Sequence, residues 1–148
     1  MGKILGIDHG SVRIGIALSD DSALIAFGRE VILNDKNFIG KLKKIVSDEN
    51  VTQIIIGYPL SLKGNKTKQT EAVESFEDLL RSSFAITPFE NITITRWDER
   101  FTSKMAADSL IESGMKKKKR RDKSNLDIVS ASLMLQSYLD SIKANPDL

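Results

Sequence analysis

Two short apolar runs open the chain, and a glycine turn separates them. Lys3-Ile4-Leu5-Gly6-Ile7-Asp8 is followed, after His9-Gly10, by Ile14-Gly15-Ile16-Ala17-Leu18-Ser19. Runs this short, this apolar and this close together predict two strands joined by a tight turn. Asp8 then sits near the open end of a buried sheet. A carboxylate in that place is costly to desolvate unless a cation meets it. A divalent metal is one such partner.

The later pattern extends the sheet. Residues 23–31 carry apolar positions at a mostly twofold period and read as a third strand. Phe38, Ile39, Leu42, Ile45 and Val46 recur at helical spacing, with Asn34 or Asp35 as N-cap and Asn50 as the stop. Residues 53–58 form a β-branched run suited to a strand buried on both faces. Residues 59–67 carry Pro, Ser, Gly and Asn and read as a loop. Ala72, Val73, Phe76, Leu79 and Leu80 mark a second helix, and residues 92–97 a fifth strand that ends at Asp98-Glu99-Arg100. Met105, Ala106, Ser109 and Leu110 mark a third helix stopped by Gly114, and residues 126–142 a fourth. Asn145-Pro146 begins a frayed tail. The order βββαβαβαα is that of an α/β protein. It predicts a five-stranded mixed sheet flanked by helices, with strands 1–3 antiparallel and strands 4–5 in parallel crossover pairing. The length of 148 residues suits one domain, 1–148.

Composition narrows the chemistry. The chain has no cysteine, which excludes disulfides and thiolate metal sites. Its single histidine argues against a multi-histidine zinc centre. A catalytic metal would need oxygen ligands, which favours Mg²⁺ or Mn²⁺. No apolar stretch is long enough to span a bilayer and the start lacks a leader pattern, so a cytoplasmic protein without a membrane partner is expected. The net charge is +2, yet residues 116–123 hold seven bases and one acid, so the remainder is net acidic. An acidic body with one basic segment can draw phosphates whatever its total charge.

Three acidic positions can converge in this fold. Asp8 ends the first strand, Asp98 and Glu99 end the last strand, and Asp127 lies near the start of the final helix. Ligands of open parallel sheets bind at the carboxyl ends of the strands. Carboxylates gathered there cannot all ionise unaided. Two Mg²⁺ ions would compensate them and serve phosphodiester hydrolysis. Each acid also has a plain structural role open to it. Asp8 can start an Asx-turn at Gly10. Glu99 can pair at the surface with Arg100 or Lys104. Asp127 can favour the helix dipole, although it shares a helical face with Ala131, Met134, Leu135 and Tyr138 and so points toward the sheet. Strand alternation puts His9 on the face opposite Asp8. Arg13 and Arg100 can hold a substrate phosphate or merely neutralise the acids. Lys116, Lys117, Lys118, Lys119, Arg120, Arg121 and Lys123 form either a solvated loop or, the favoured reading, a phosphate-binding patch. Trp97 reads as core rather than as a platform for bases.

Four segments together resemble the YqgF/RuvX family, whose members are described as pre-16S rRNA nucleases and as Holliday-junction-resolvase-like proteins. These are residues 6–20 (GIDHGSVRIGIALSD), Ile56-Gly57-Tyr58-Pro59-Leu60 with Gly64, Asp98-Glu99-Arg100-Phe101-Thr102-Ser103, and Lys123 through Asp127 to Ala131, Leu135 and Gln136. The resemblance implies a ribonuclease-H-like fold. It implies Asp8, Glu99 and Asp127 as metal-binding and catalytic acids, with Asp98 as the substitute for Glu99, and a role in maturing the 5′ end of 16S rRNA. His9 stands where an aromatic or aliphatic residue is usual, and Ser130 where alanine is common. The expectation is a metal-dependent nuclease in which Arg13, Arg100 and the basic segment hold precursor rRNA, with ribosomal particles as partners and a monomer or weak dimer as the assembly. A Holliday junction DNA resolvase with the same chemistry is the first rival and would favour a dimer. A non-catalytic ribosome-associated RNA-binding factor is the second. An actin-like ATPase ranks last, because the chain lacks room for a second lobe.

Overall fold

The computed structural model describes residues 2–100 and 123–144, the side chains of the second stretch from 126 to 143. The elements are β1 (Lys3–His9), β2 (Arg13–Ser19), β3 (Ala26–Leu33), α1 (Phe38–Asp48), β4 (Val51–Tyr58), α2 (Lys68–Phe84), β5 (Thr93–Asp98) and α3 (Lys123–Ala144). They form one five-stranded sheet in the order β3-β2-β1-β4-β5. The first three strands pair antiparallel, and β4 pairs parallel with both β1 and β5. This is the mixed sheet that the apolar pattern predicts.

Alternation along the strands divides the core in two. Leu5, Ile7, Ile14, Ile16, Ile54 and Ile56 face α1 and α2, where Leu42, Val46, Val73, Phe76 and Leu80 meet them. Ile4, Ala17 and Ile55 face the other way, onto Ala131, Met134, Leu135 and Leu139 of α3. Ile7 and Leu135 are fully buried. Truncating either to alanine would cost about 2–5 kcal/mol, the transfer of the lost methyl groups plus the cavity left behind.

Side chains fasten the elements at the sheet's ends. Past the middle of α3, the Gln136 amide donates to the Leu24 carbonyl (3.0 Å) and accepts from the Ala26 N–H (2.8 Å). Lys143 donates to the same Leu24 carbonyl (3.0 Å). At the start of α2, Thr67 and Thr70 form a capping box, and the Thr70 hydroxyl also donates to the Pro59 carbonyl. That bond ties the first turn of α2 to the loop that follows β4.

Several boundaries differ from the sequence reading, for local reasons. The third strand runs from Ala26, not from residue 23. Asp20 Oδ1 accepts from the Leu24 and Ile25 N–H groups, which holds that stretch in a turn with Ala23 at φ +55°. The N-cap of α1 is Asn37. Asn34 is drawn away to the Gly10 carbonyl (2.9 Å) and His9 (3.2 Å), and Asp35 accepts from the Asn37 N–H. Asn50, with φ +54°, follows α1 as expected. The helix marked by Met105 to Leu110 lies outside the described residues.

Candidate active site

Asp8 is the penultimate residue of β1 and faces α3. Its partner across β2 is Gly15. On the other side Ile7 pairs with Ile56, so the next position of β4 beside Asp8 is Gly57. Neither neighbouring strand therefore places a side chain against this carboxyl. Both glycines are used by what approaches from above. A Cβ on Gly15 would stand 2.5 Å from the Asp127 carbonyl oxygen, so its absence lets the start of α3 come down onto the sheet. A Cβ on Gly57 would stand 2.1 Å from Glu99 Oε2, in the space through which the Glu99 side chain reaches across β4.

The end of β5 delivers Glu99 by alternation. Trp97 points to α3, packing edge-on to Tyr138 (5.4 Å between centroids) and donating to Ser137 Oγ (3.3 Å). It is part of the core on that face, as expected. Arg96 points the opposite way, to Glu77 and over the Tyr58 ring. Glu99 continues the ladder, its N–H donating to the Tyr58 carbonyl (3.3 Å), and its side chain falls on Trp97's face. Asp98 instead pairs with Arg100, which donates from Nε (2.8 Å) and from its backbone N–H (3.0 Å). Those bonds hold the Asp98 carboxyl below the usual range. Of the two acids, Glu99 is thus the one that meets Asp8.

Asp8 and Glu99 are close enough to share a hydrogen bond. Burial pushes the Glu99 carboxyl up to about 9, and the nearby Asp8 charge adds to the shift. Burial likewise raises Asp8, to about 6, with the Asp127 charge contributing; the proton shared with Glu99 works against the rise. The cause is that two desolvated carboxyls cannot both ionise without a cation. Near neutral pH the pair therefore retains a proton.

Asp127 stands on the facing wall, where Arg13 Nε donates to its Oδ2 (3.2 Å). Arg13 thus neutralises an acid in this structure. Among the described residues, no three acids or histidines stand close enough together to surround one ion. The three acids border a single open cleft of about 310 Å³, with Arg13 and Arg100 also in its wall. The donors are all carboxylate oxygens, a set suited to hard cations such as Mg²⁺ or Mn²⁺.

His9 is buried on the opposite face, its ring 4.7 Å from Phe76 and its Nε2 3.2 Å from the Asn34 amide. Burial pushes its imidazole down. Lys116, Lys117, Lys118, Lys119, Arg120 and Arg121 lie outside the described residues, as does the side chain of Lys123. The sequence reading missed Leu62 and Gln69, which line the cleft from the β4–α2 connection and from the first turn of α2. The available signal was that this loop leaves the carboxyl end of a central strand, where ligands bind.

Some known proteins are similar to this chain in sequence, and others in fold. The RuvX family, described as Holliday junction resolvase, matches over residues 2–141. A proposed pre-16S rRNA nuclease of Amoebophilus asiaticus is 41% identical over 144 residues, covering 97% of each chain. Another, of Flavobacterium psychrophilum, is 39% identical over 139 residues, covering 94% of this chain and 97% of that one. Among solved structures, the yeast mitochondrial Holliday junction resolvase Ydc2 aligns with TM-score 0.60 at 11% identity, over 97% of this chain and 81% of that one. RuvC of T. thermophilus, in complex with a Holliday junction substrate, aligns with TM-score 0.54 at 13% identity, over 96% of each. The fold is therefore the ribonuclease-H-like fold of these resolvases. At 39–41% identity over nearly the whole length, with a family match from residue 2 to 141, this chain belongs to the YqgF/RuvX family.

Proposed function

We propose that this protein is a divalent-metal-dependent nuclease that hydrolyses phosphodiester bonds, and that its task is maturation of the 5′ end of pre-16S rRNA in the cytoplasm. The observation that carries the reading is the Asp8–Glu99 pair, two acids held face to face at an open cleft with no basic partner of their own among the described residues. Such a pair is unstable as a dianion and is a natural seat for Mg²⁺ or Mn²⁺. Asp8 and Glu99 would hold the ions, and Asp127 would complete the set once Arg13 turns from it to the substrate. Bound there, divalent cations supply an activated water and offset the charge that builds on the phosphoryl oxygens. Arg13 and Arg100 would orient the phosphate, and the basic run at 116–121 with Lys123 would attract the RNA over a longer range. The name shared by the relatives points to the rRNA precursor as substrate.

The test is cleavage of labelled 16S precursor RNA in Mg²⁺ and in Mn²⁺, by the wild type and by Asp8→Asn in parallel. Cutting by the wild type alone supports the reading. Equal cutting by both, or binding without cutting by either on naked RNA and on precursor-containing ribosomal particles, overturns it. A DNA resolvase is the second reading, favoured by the family's description and by the RuvC complex with a Holliday junction. Preference for four-way DNA junctions over single-stranded RNA would select it.

A further inference from the structure

Exposed apolar side chains scattered singly over a surface are ordinary. Leu62 differs in its place and in how it is held. It is 69% exposed, the most exposed large apolar side chain among the described residues. Of that strongly exposed group, it alone borders the acid cleft.

The turn beneath it is closed by three hydrogen bonds. The Ser61 N–H donates to the Asn65 carbonyl (2.9 Å), the Gly64 N–H to the Ser61 carbonyl (2.8 Å), and the Asn65 N–H to Ser61 Oγ (3.0 Å). Gly64 adopts φ +87°, which a side chain would resist. Arg100, anchored by Asp98, stands beside the turn: its Nη1 would be 3.4 Å from a Cβ on Gly64. The turn is closed by its own hydrogen bonds. A closed turn holds Leu62 standing in water at the cleft mouth.

We propose that Leu62 packs against the face of an unpaired nucleobase next to the phosphate that enters the Asp8–Glu99 site. This rests on the nuclease reading above. The cleft floor is acidic and polar and suits the phosphate with its counter-ions. Leu62 offers the opposite chemistry at its lip. On a nucleic acid strand, the apolar surface within reach of a bound phosphate is the flat face of an adjacent base. In a duplex that face is covered by stacking; in a single strand or a frayed end it is open. Leu62 therefore makes the site prefer unpaired nucleotides without reading their sequence, since every base has such a face.

The experiment uses single-stranded RNA oligonucleotides spanning the cleavage position. One is intact, and others carry one abasic nucleotide at successive positions. Cleavage is followed with the wild type, Leu62→Ala and Leu62→Phe, and binding with the same three proteins carrying Glu99→Gln. Leu62→Ala is expected to weaken cleavage and binding of the intact strand about tenfold, and Leu62→Phe to retain both. An abasic nucleotide at one position should cost the wild type the same factor and cost Leu62→Ala nothing further. Equal losses from Leu62→Ala on intact and abasic strands, or no loss, would overturn the base contact while cleavage by the wild type kept the nuclease reading alive. Base-dependent binding without cleavage would uphold the contact, and would sink the nuclease reading once precursor-containing ribosomal particles also stayed uncut. No binding to any strand would sink the base contact.

Discussion

Glu77, buried, and Glu99, half-buried, are glutamates on opposite faces of the sheet, and they sit in opposite states. Glu77 of α2 is almost fully covered, and Arg81 (2.8 Å) and Arg96 bond to its two oxygens. Burial pushes its carboxyl up, but the hydrogen bonds from Arg96 and Arg81 outweigh that and hold it below the usual range. Desolvation also acts on Glu99, which faces another acid instead of arginines, so it is driven up. One acid is answered within the fold and belongs to its architecture. The other waits for a positive charge from outside. A buried acid alone does not mark a site; a buried acid left without its counter-charge does.

That contrast can be broken at several points. The largest expected effect is on cleavage by Glu99→Gln or Asp8→Asn, a loss of about a thousandfold or more, because several kcal/mol of transition-state stabilisation depend on the ions these acids hold. Single-turnover rates at saturating Mg²⁺ check it, and a loss under tenfold would place the catalytic acids elsewhere. Next comes Gly57→Ala. The new methyl occupies the path of the Glu99 side chain and should cost about a hundredfold in rate by displacing it, while the thermal midpoint moves little. A normal rate would mean that Glu99 need not cross Gly57 to act.

Glu77→Gln should do the reverse, costing about 1–3 kcal/mol of stability by leaving two arginines without their partner. The rate per folded molecule should stay near wild type. Urea unfolding beside a cleavage assay separates the two effects.

The pH dependence of metal-free protein should also separate the two glutamates. Asp8 and Glu99 are raised in the fold, to about 6 and about 9, from ordinary values of 3.8 and 4.5. Above pH 4 the folded state then binds more protons than the unfolded state, so these two groups make stability fall as pH rises toward 9. Glu77, depressed in the fold, contributes stability that is present above the usual glutamate range and lost on acidification. Unfolding in chelator at pH 5 and pH 8 should show Glu99→Gln gaining on the wild type at the higher pH, and Mg²⁺ should erase that gain. The smallest effect belongs to Arg13→Ala. Freeing Asp127 from its ion pair should tighten Mg²⁺ binding by no more than about fivefold, read from thermal stabilisation against Mg²⁺ concentration.

Local periodicity carried much of this fold. The β1–β2–β3 meander, the central β4 and the apolar face of α3 follow from apolar spacing, and so does the inward direction of Asp127. Alternation correctly sent His9 away from Asp8, and the same rule applied to Trp97 separates Glu99 from Asp98. The rest depends on register, which no local pattern contains. Gly15 and Gly57 look like ordinary strand glycines until they are seen on either side of Asp8. Arg13 and Asp127 are 114 residues apart in sequence, and only the assembled sheet makes them partners. Asn34 looked like a helix cap because its side chain suits one, but a tertiary bond to Gly10 claimed it.

The grip of Gln136 on the Leu24–Ala26 backbone has a mechanical side. It lies nine residues along α3 from Asp127, about 13 Å at helical rise. Between the two points Ala131, Met134 and Leu135 lie buried against the strands, so the helix cannot lift away from the sheet. Packed helices shift by sliding along their neighbours, and sliding along its own axis is the movement that the bonds of Gln136 to the β2–β3 turn oppose. That turn never approaches the phosphate, yet it sets the axial position of Asp127, and anyone wishing to retune the spacing of the acids could start by loosening it.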